Sequence, residues 1–133
     1  MNSRPMTVED YLTIMEANRG LWPDYDALQD GEKEFLAKVN ISHGTADAYF
    51  KDGKLWGVGG IKYVGIAEAW LIGTPDTRKE LTMPEFNFIK EEFERQRNKH
   101  NLIRVFATTK ISECFLRRLG FVAEPTAHVW TGI

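Results

Sequence analysis

Cysteine is almost missing from this chain, with Cys114 alone among 133 residues. No intramolecular disulfide can form, which suits a reducing compartment. No stretch of about 18 apolar residues occurs, so no membrane span is expected. The opening residues, MNSRPMTVEDY, contain no apolar signal core, and together these absences predict a cytoplasmic protein in the cell that makes it. Excess positive charge is also lacking. The formal net charge of −2 excludes a globally basic nucleic-acid binder and leaves room only for a local basic patch. His43, His100 and His128 have no metal-ligand spacing with one another or with Cys114, so no metal site is expected. There is no internal repeat and no Gly/Ser/Pro-rich linker. The expectation is one domain over residues 1–133, within the common size range of domains.

What is present is ordinary for a soluble globular chain, at 43% hydrophobic and 27% charged residues. TVEDYLTIMEANRG reads as a first helix. Thr7 is its N-cap, Glu9 and Asp10 lie in its first turn, and Gly20 follows its end. Val8, Leu12 and Met15 share a face with Tyr11 beside them. The segment around Pro23 is expected to be irregular. EKEFLAKVN reads as a second helix carrying Phe35, Leu36 and Val39.

A three-strand meander follows. Asp52-Gly53 separates two strand-like runs, and a type I′ turn needs positive φ at both central residues, which this pair tolerates. Gly57, Gly59 and Gly60 mark a bulge or a close backbone approach in the middle strand. The continuous apolar run from Ala69 to Ile72 predicts a strand covered on both faces. Next, Thr82 to Glu85 fits a capping box and opens a long helix with Phe86, Ile89 and Phe93 on one face and Phe88 off it. LIRVFAT reads as a strand, KISECFLRRL as a helix, and FVAEPTAHVWTGI as one or two short strands. The expected class is α/β (α+β) with a mixed sheet, in the order α-α-β-β-β-α-β-α-β. A short N-terminal strand can precede it. Helical crossovers place the late strand parallel to the third strand of the meander.

FLRRLGF, from Phe115 to Phe121, has a complete structural explanation. Gly120 in the left-handed conformation would end the helix, and Phe121 would fold back on Leu116. Arg117 and Arg118 would then sit at the negative end of the helix dipole, and Ile111, Phe115 and Leu119 would form the buried face. Cys114, mid-helix beside that face, reads as a buried structural thiol. Arg95, Arg97, Lys99, Arg104 and Lys110 form a basic cluster that would meet a phosphate or simply be solvated. Trp22, Trp56, Trp70 and Trp130 would line a pocket or fill the core.

The element order, and the ending strand–helix–LGF–strand, resemble the GCN5-related N-acetyltransferase (GNAT) superfamily. The resemblance covers most of the chain. It implies that the strand over Ala67–Thr74 splays from the late parallel strand and that acetyl-CoA sits in the opening. The backbone of Leu71, Ile72, Gly73 and Thr74 would hold the pantetheine arm. The family's R/Q-x-x-G-x-G/A loop falls on RKELTM, so Arg78, Lys79, Leu81, Thr82 and Met83 would meet the pyrophosphate, by the physics of helix-end anion sites. Leu81 and Met83 stand where the family has small residues. The family's Asn falls on Thr109, and its proton-donating Tyr falls on Leu116. Glu68 stands where many members place a carboxylate that helps deprotonate the amine. Asp24, Tyr25 and Asp26 would border the acceptor pocket, with turn chemistry after Pro23 as the plainer reading.

More narrowly, GKLWGVGG, AWLIGT and ATTKISECFLRRLGF are similar to small GNAT-shaped proteins of T7-like bacteriophages, some of them packaged in the virion. Two functions follow from these resemblances. One is an acetyl-CoA-dependent N-acyltransferase of a small-molecule or protein amine. The other is an inactive protein of the same shape in the host cytoplasm or virion, binding a phage or host protein. Nucleic acid is not an expected partner.

Overall fold

The computed structural model of the chain describes residues 1–100, 102–105 and 110–122. Within them, β1 (Asn2–Pro5), β2 (Gly44–Lys51), β3 (Lys54–Tyr63), β4 (Ala67–Gly73) and β5 (Ile103–Arg104) form one sheet in that order. β1 through β4 pair antiparallel, and β5 pairs parallel to β4. The mixed α/β architecture and the parallel late strand are as expected, and the N-terminal strand is present. LIRVFAT contributes strand only at Ile103–Arg104 among the described residues. The terminal strands expected after Phe121 fall on residues 123–133, outside the described ones.

The first face of the sheet is covered by α1 (Val8–Ala17) and α3 (Asp30–Ser42), joined by the short α2 (Pro23–Asp26). The helical turn at Pro23 replaces the expected irregular segment. Proline is tolerated there because first-turn amides have no helical acceptor. α1 starts at a reciprocal box between Thr7 and Asp10. Arg4 donates to both Asp10 carboxylate oxygens, at 2.6 and 2.9 Å, which ties β1 to the helix start. Ile14 is fully buried, more deeply than Val8 or Leu12. It packs with Met6, Tyr11, Met15, Ala37, Ala48 and Val58. Full burial of a side chain such as Ile14 or Val58 stabilises the fold by about 1.5–3 kcal/mol. On α3 the inward residues are Ala37 and Ile41, while Phe35 is 65% exposed.

The opposite face carries α5 (Met83–Arg97) and α6 (Lys110–Arg118). Here Tyr49, Trp56, Ile89 and Leu119 form a second cluster, joined by Phe86, Phe88, Phe115 and Leu116. Phe88, off the main stripe of α5, still reaches Tyr49 edge-on at 5.9 Å. α6 ends in the double hydrogen bond of a Schellman cap. Phe121 N–H donates to Leu116 O and Gly120 N–H to Arg117 O, both at 3.0 Å, with Gly120 at φ 100°. This same stripe turns Cys114 outward, so the thiol expected to be buried is exposed. Among the described residues no helix is long and apolar enough to cross a membrane.

Candidate functional site

The middle of the sheet is shaped by small residues in β3. A Cβ at Gly60 would stand 1.9 Å from Thr45 O, and one at Gly59 would stand 2.7 Å from Trp70 O. These glycines let the neighbouring strands approach closely. The register shifts at Tyr49/Phe50, where Trp56 is the extra residue, forming the bulge expected in this strand. The bulged Trp56 carbonyl accepts from Thr74 N–H at 3.2 Å and from the Thr77 hydroxyl at 2.9 Å. β4 is thereby fixed at its far end.

The Thr74-to-Trp56 bond sets the phase of the β3–β4 ladder. Opposed residues in an antiparallel pair alternate between those that exchange hydrogen bonds and those that do not. Ile72 and Trp70 therefore face Val58 and Gly60 with their backbone groups, whereas Leu71 and Gly73 aim theirs away from β3, towards the β5 side. Asn18 confirms this phase from outside the sheet. Its Nδ2 donates to Gly73 O at 3.0 Å and to Ile14 O at 2.8 Å, joining the end of α1 to the end of β4.

The β4–β5 ladder is short. It registers Ala67 with Ile103 and Glu68 with Arg104, and it goes no further among the described residues. Glu68 is the last β4 residue paired with β5 among the described residues. Its carboxylate accepts from Arg104 Nε at 3.1 Å and lies 3.8 Å from Lys62 Nζ. Beyond that point the residues in register with Trp70 to Gly73, 106–109, lie outside the described ones. Beside β4, a cavity of about 80 Å³ is lined by Ala69, Leu71, Phe93, Phe115, Leu116 and Phe121 among others. It is apolar because α5 and α6 turn their aromatic stripes to it.

The segment after β4 is helical sooner than a glycine loop would be. Thr74 caps α4 (Pro75–Lys79), its hydroxyl accepting from Thr77 N–H at 3.2 Å. Arg78 and Lys79 therefore lie on a helical turn, and only residues 80–82 form the link to α5. Leu81 is 39% exposed and Met83 62% exposed. Thr82 N–H donates to Glu85 Oε2 at 2.8 Å, and the Thr82 hydroxyl accepts from the Glu85 backbone, completing the capping box read from the sequence. The Glu85 side chain is only 3% exposed and also pairs with Lys51 at the β2–β3 hairpin. Burial opposes ionisation of Glu85, but hydrogen bonds from Lys51 and Thr82 outweigh it and hold the carboxyl below its ordinary pKa. A carboxylate of the chain itself thus occupies the positive end of α5.

The predicted site residues therefore divide. Leu71 and Gly73 turn backbone groups to the β5 side of β4, where Glu68 pairs with Arg104, whereas Thr74 is committed to Trp56 on β3 and to capping α4. Ile72 is committed to Val58 and packs towards α1. Leu81, Thr82 and Met83 gather at the start of α5, and Thr109 lies outside the described residues. Arg104 leaves the expected basic cluster for Glu68, and Arg95 pairs with Glu92. On the other face, Tyr25 meets Tyr11 edge-on at 6.3 Å, and burial together with nearby negative charge pushes its pKa up to about 12. Asp26 accepts from Gly20 N–H at 2.8 Å, a turn-closing role. Asn18, Lys51 and Glu85 were not singled out from the sequence as site residues. The Thr82–Glu85 spacing was the signal for Glu85; nothing local marks the other two.

An acyl-CoA molecule can be tested against this geometry in two parts. The pantetheine arm carries two amides, and the Leu71 backbone and Gly73 N–H that point away from β3 are the donors and acceptors such an arm would use in the manner of an added strand. The diphosphate fits poorly. Pro84 has no N–H, Thr82 and Glu85 N–H are satisfied within the box, and Glu85 places like charge at the helix end.

No protein-family model matches the sequence, and no curated protein matches it. Solved structures do match the fold. A chimeric spermidine N-acetyltransferase from Vibrio cholerae aligns with a TM-score of 0.70 at 17% identity, over 93% of this chain and 82% of that one. An acetyltransferase of the GNAT family from Streptococcus pneumoniae aligns at 0.62 and 15% identity, over 92% and 85%. A predicted acetyltransferase from Clostridium acetobutylicum, with acetyl-CoA, aligns at 0.62 and 10% identity, over 93% and 91%. The chain has the fold of the GNAT acetyltransferases, and these low identities establish the fold alone.

Proposed function

We propose that the chain is an N-acyltransferase that moves an acyl group from a pantetheine thioester, with acetyl-CoA as the first donor to test, onto an amine. The carrying observation is the apolar cavity beside β4, lined by Ala69, Leu71 and the aromatic residues of α5 and α6, next to backbone groups of Leu71 and Gly73 that point away from β3. Leu71 and Gly73 would hold the arm through backbone groups, and Thr74 would fix the end of β4 through Trp56. Thr109 would lie by the donor, as the family resemblance implies. The donor supplies an electrophilic thioester carbonyl. The acceptor nitrogen attacks that carbon, the C–S bond breaks, and the sulfur leaves with the electron pair. Glu68 would take the ammonium proton. No covalent enzyme intermediate is needed. Leu116 cannot act as an acid, and a thiolate leaving group needs little such help near neutral pH. Spermidine, named for one structural neighbour, makes small amines the first acceptors to try. Calorimetric titration with acetyl-CoA is the test. Heat with saturation below a millimolar is the expected result, and silence at that concentration sinks the proposal.

The start of α5 favours a second reading, in which the same shape serves as a phage particle component or protein-binding module without chemistry. Leu81, Met83, Pro84 and the self-capping Glu85 all weaken a phosphate site. A chain silent towards every thioester, yet retained stoichiometrically by a phage or host protein, would establish this alternative.

A further inference from the structure

Resting on the acyltransferase reading, we infer that this chain recognises its donor by the acyl-pantetheine arm and not by the nucleotide diphosphate. Bare acyl-pantetheine should then bind nearly as well as acyl-CoA. The inference comes from the mismatch between the two halves of the site. Along β4 the arm would meet the Leu71 backbone groups and the Gly73 N–H, which point away from β3. At the start of α5 the diphosphate meets a terminus already filled.

Four observations fill it. The Thr82 N–H is taken by Glu85 Oε2, and the Glu85 N–H by the Thr82 hydroxyl. Pro84 contributes no donor. Lys51, a cation beside that terminus, is held by the same carboxylate. The carboxylate is buried and charge-paired, so a diphosphate would have to expel an internal anion that already accepts from Lys51 and from Thr82 N–H. Long-range attraction to exposed Lys79 remains, but it is screened by salt and carries no geometry.

The probes are acetyl-CoA and S-acetyl-pantetheine, titrated separately into the full chain and read by calorimetry. Dissociation constants within tenfold of each other are expected. Acetyl-CoA tighter by more than tenfold would overturn the inference while leaving the acyltransferase proposal standing. Silence from both would overturn that proposal and this one with it. A Glu85→Gln variant separates the cause. Glutamine keeps an acceptor for Thr82 N–H and removes the charge, and a cooperative thermal transition above the assay temperature shows that the fold is retained. The variant should gain at least threefold for acetyl-CoA and nothing for S-acetyl-pantetheine. Equal affinities before and after the change would overturn the role given to Glu85. A variant that no longer melts cooperatively would be replaced by Lys51→Met, which frees no donor and should weaken neither ligand. A selective loss of acetyl-CoA affinity in Lys51→Met would show that Lys51 serves phosphate, contrary to the inference.

Discussion

Replacing Asn18 by Ala should loosen the far end of the candidate site and lower global stability together. Asn18 is 3% exposed and spends its amide on two backbone carbonyls, Ile14 O and Gly73 O. Each such bond contributes about 0.5–1.5 kcal/mol net. The carbonyls lose a partner in a site that is already closely packed, and an unsatisfied buried acceptor adds about 1–3 kcal/mol. Gly73 is only half-buried, so water can reach its oxygen, and the larger penalty applies to few atoms. The sum comes to about 2–3 kcal/mol, or about 6–10 °C in the thermal midpoint for a domain of this size. Asn18→Asp should be worse, because a carboxylate cannot donate and would face two carbonyl oxygens. Its deficit should shrink as pH falls and the acid is protonated. Urea melts of the three chains at pH 7 and pH 4.5 would measure this. A loss under about 0.5 kcal/mol for Asn18→Ala, or Asn18→Asp as stable as Asn18→Ala at pH 7, would refute the bridging role.

Gly60→Ala should destabilise by more than about 3 kcal/mol, since its Cβ would lie 1.9 Å from Thr45 O and neither central strand can shift cheaply; a soluble variant with an unchanged urea midpoint would contradict this. Asp10 and Glu85 both have folded pKa values held below their ordinary ones. Their stabilisation is therefore complete above the unfolded values, near 4, and is lost as pH falls through the lower folded values. Melts from pH 6 to pH 2 should show that loss, and it should shrink in Glu85→Gln. Glu68→Gln should lower kcat about 100-fold or more if the carboxylate takes the proton, with donor affinity measured by calorimetry unchanged; an equal loss in Arg104→Met would instead assign Glu68 to holding β5.

Local chemistry was the legible part of this fold. The Asp52-Gly53 hairpin appears with φ 52° and 76°. The Thr82–Glu85 box and the Gly120 cap also form as their residues dictate. Each depends on partners within five residues in sequence. The contacts that define the site are remote. Asn18 reaches Gly73, Lys51 reaches Glu85 and Arg104 reaches Glu68, over separations of 55, 34 and 36 residues. No periodicity signals such pairs. The outward turn of Cys114 was misread because a neighbour of an apolar stripe can fall on either of its sides, and only the docking of α6 decides which. The expected opening beside Gly73 lies against residues 106–109 of the late strand, outside the described ones, and so stands as a proposal.

The bulge at Trp56 places a fluorophore at the junction of both halves of the candidate site. Its carbonyl holds Thr74 and Thr77, where β4 passes into α4, while its indole lies in the aromatic cluster beneath α5 and α6. Any molecule that prises the two helical walls apart must disturb that indole's surroundings. The chain thus carries its own optical gauge of occupancy, readable from intrinsic emission without a label.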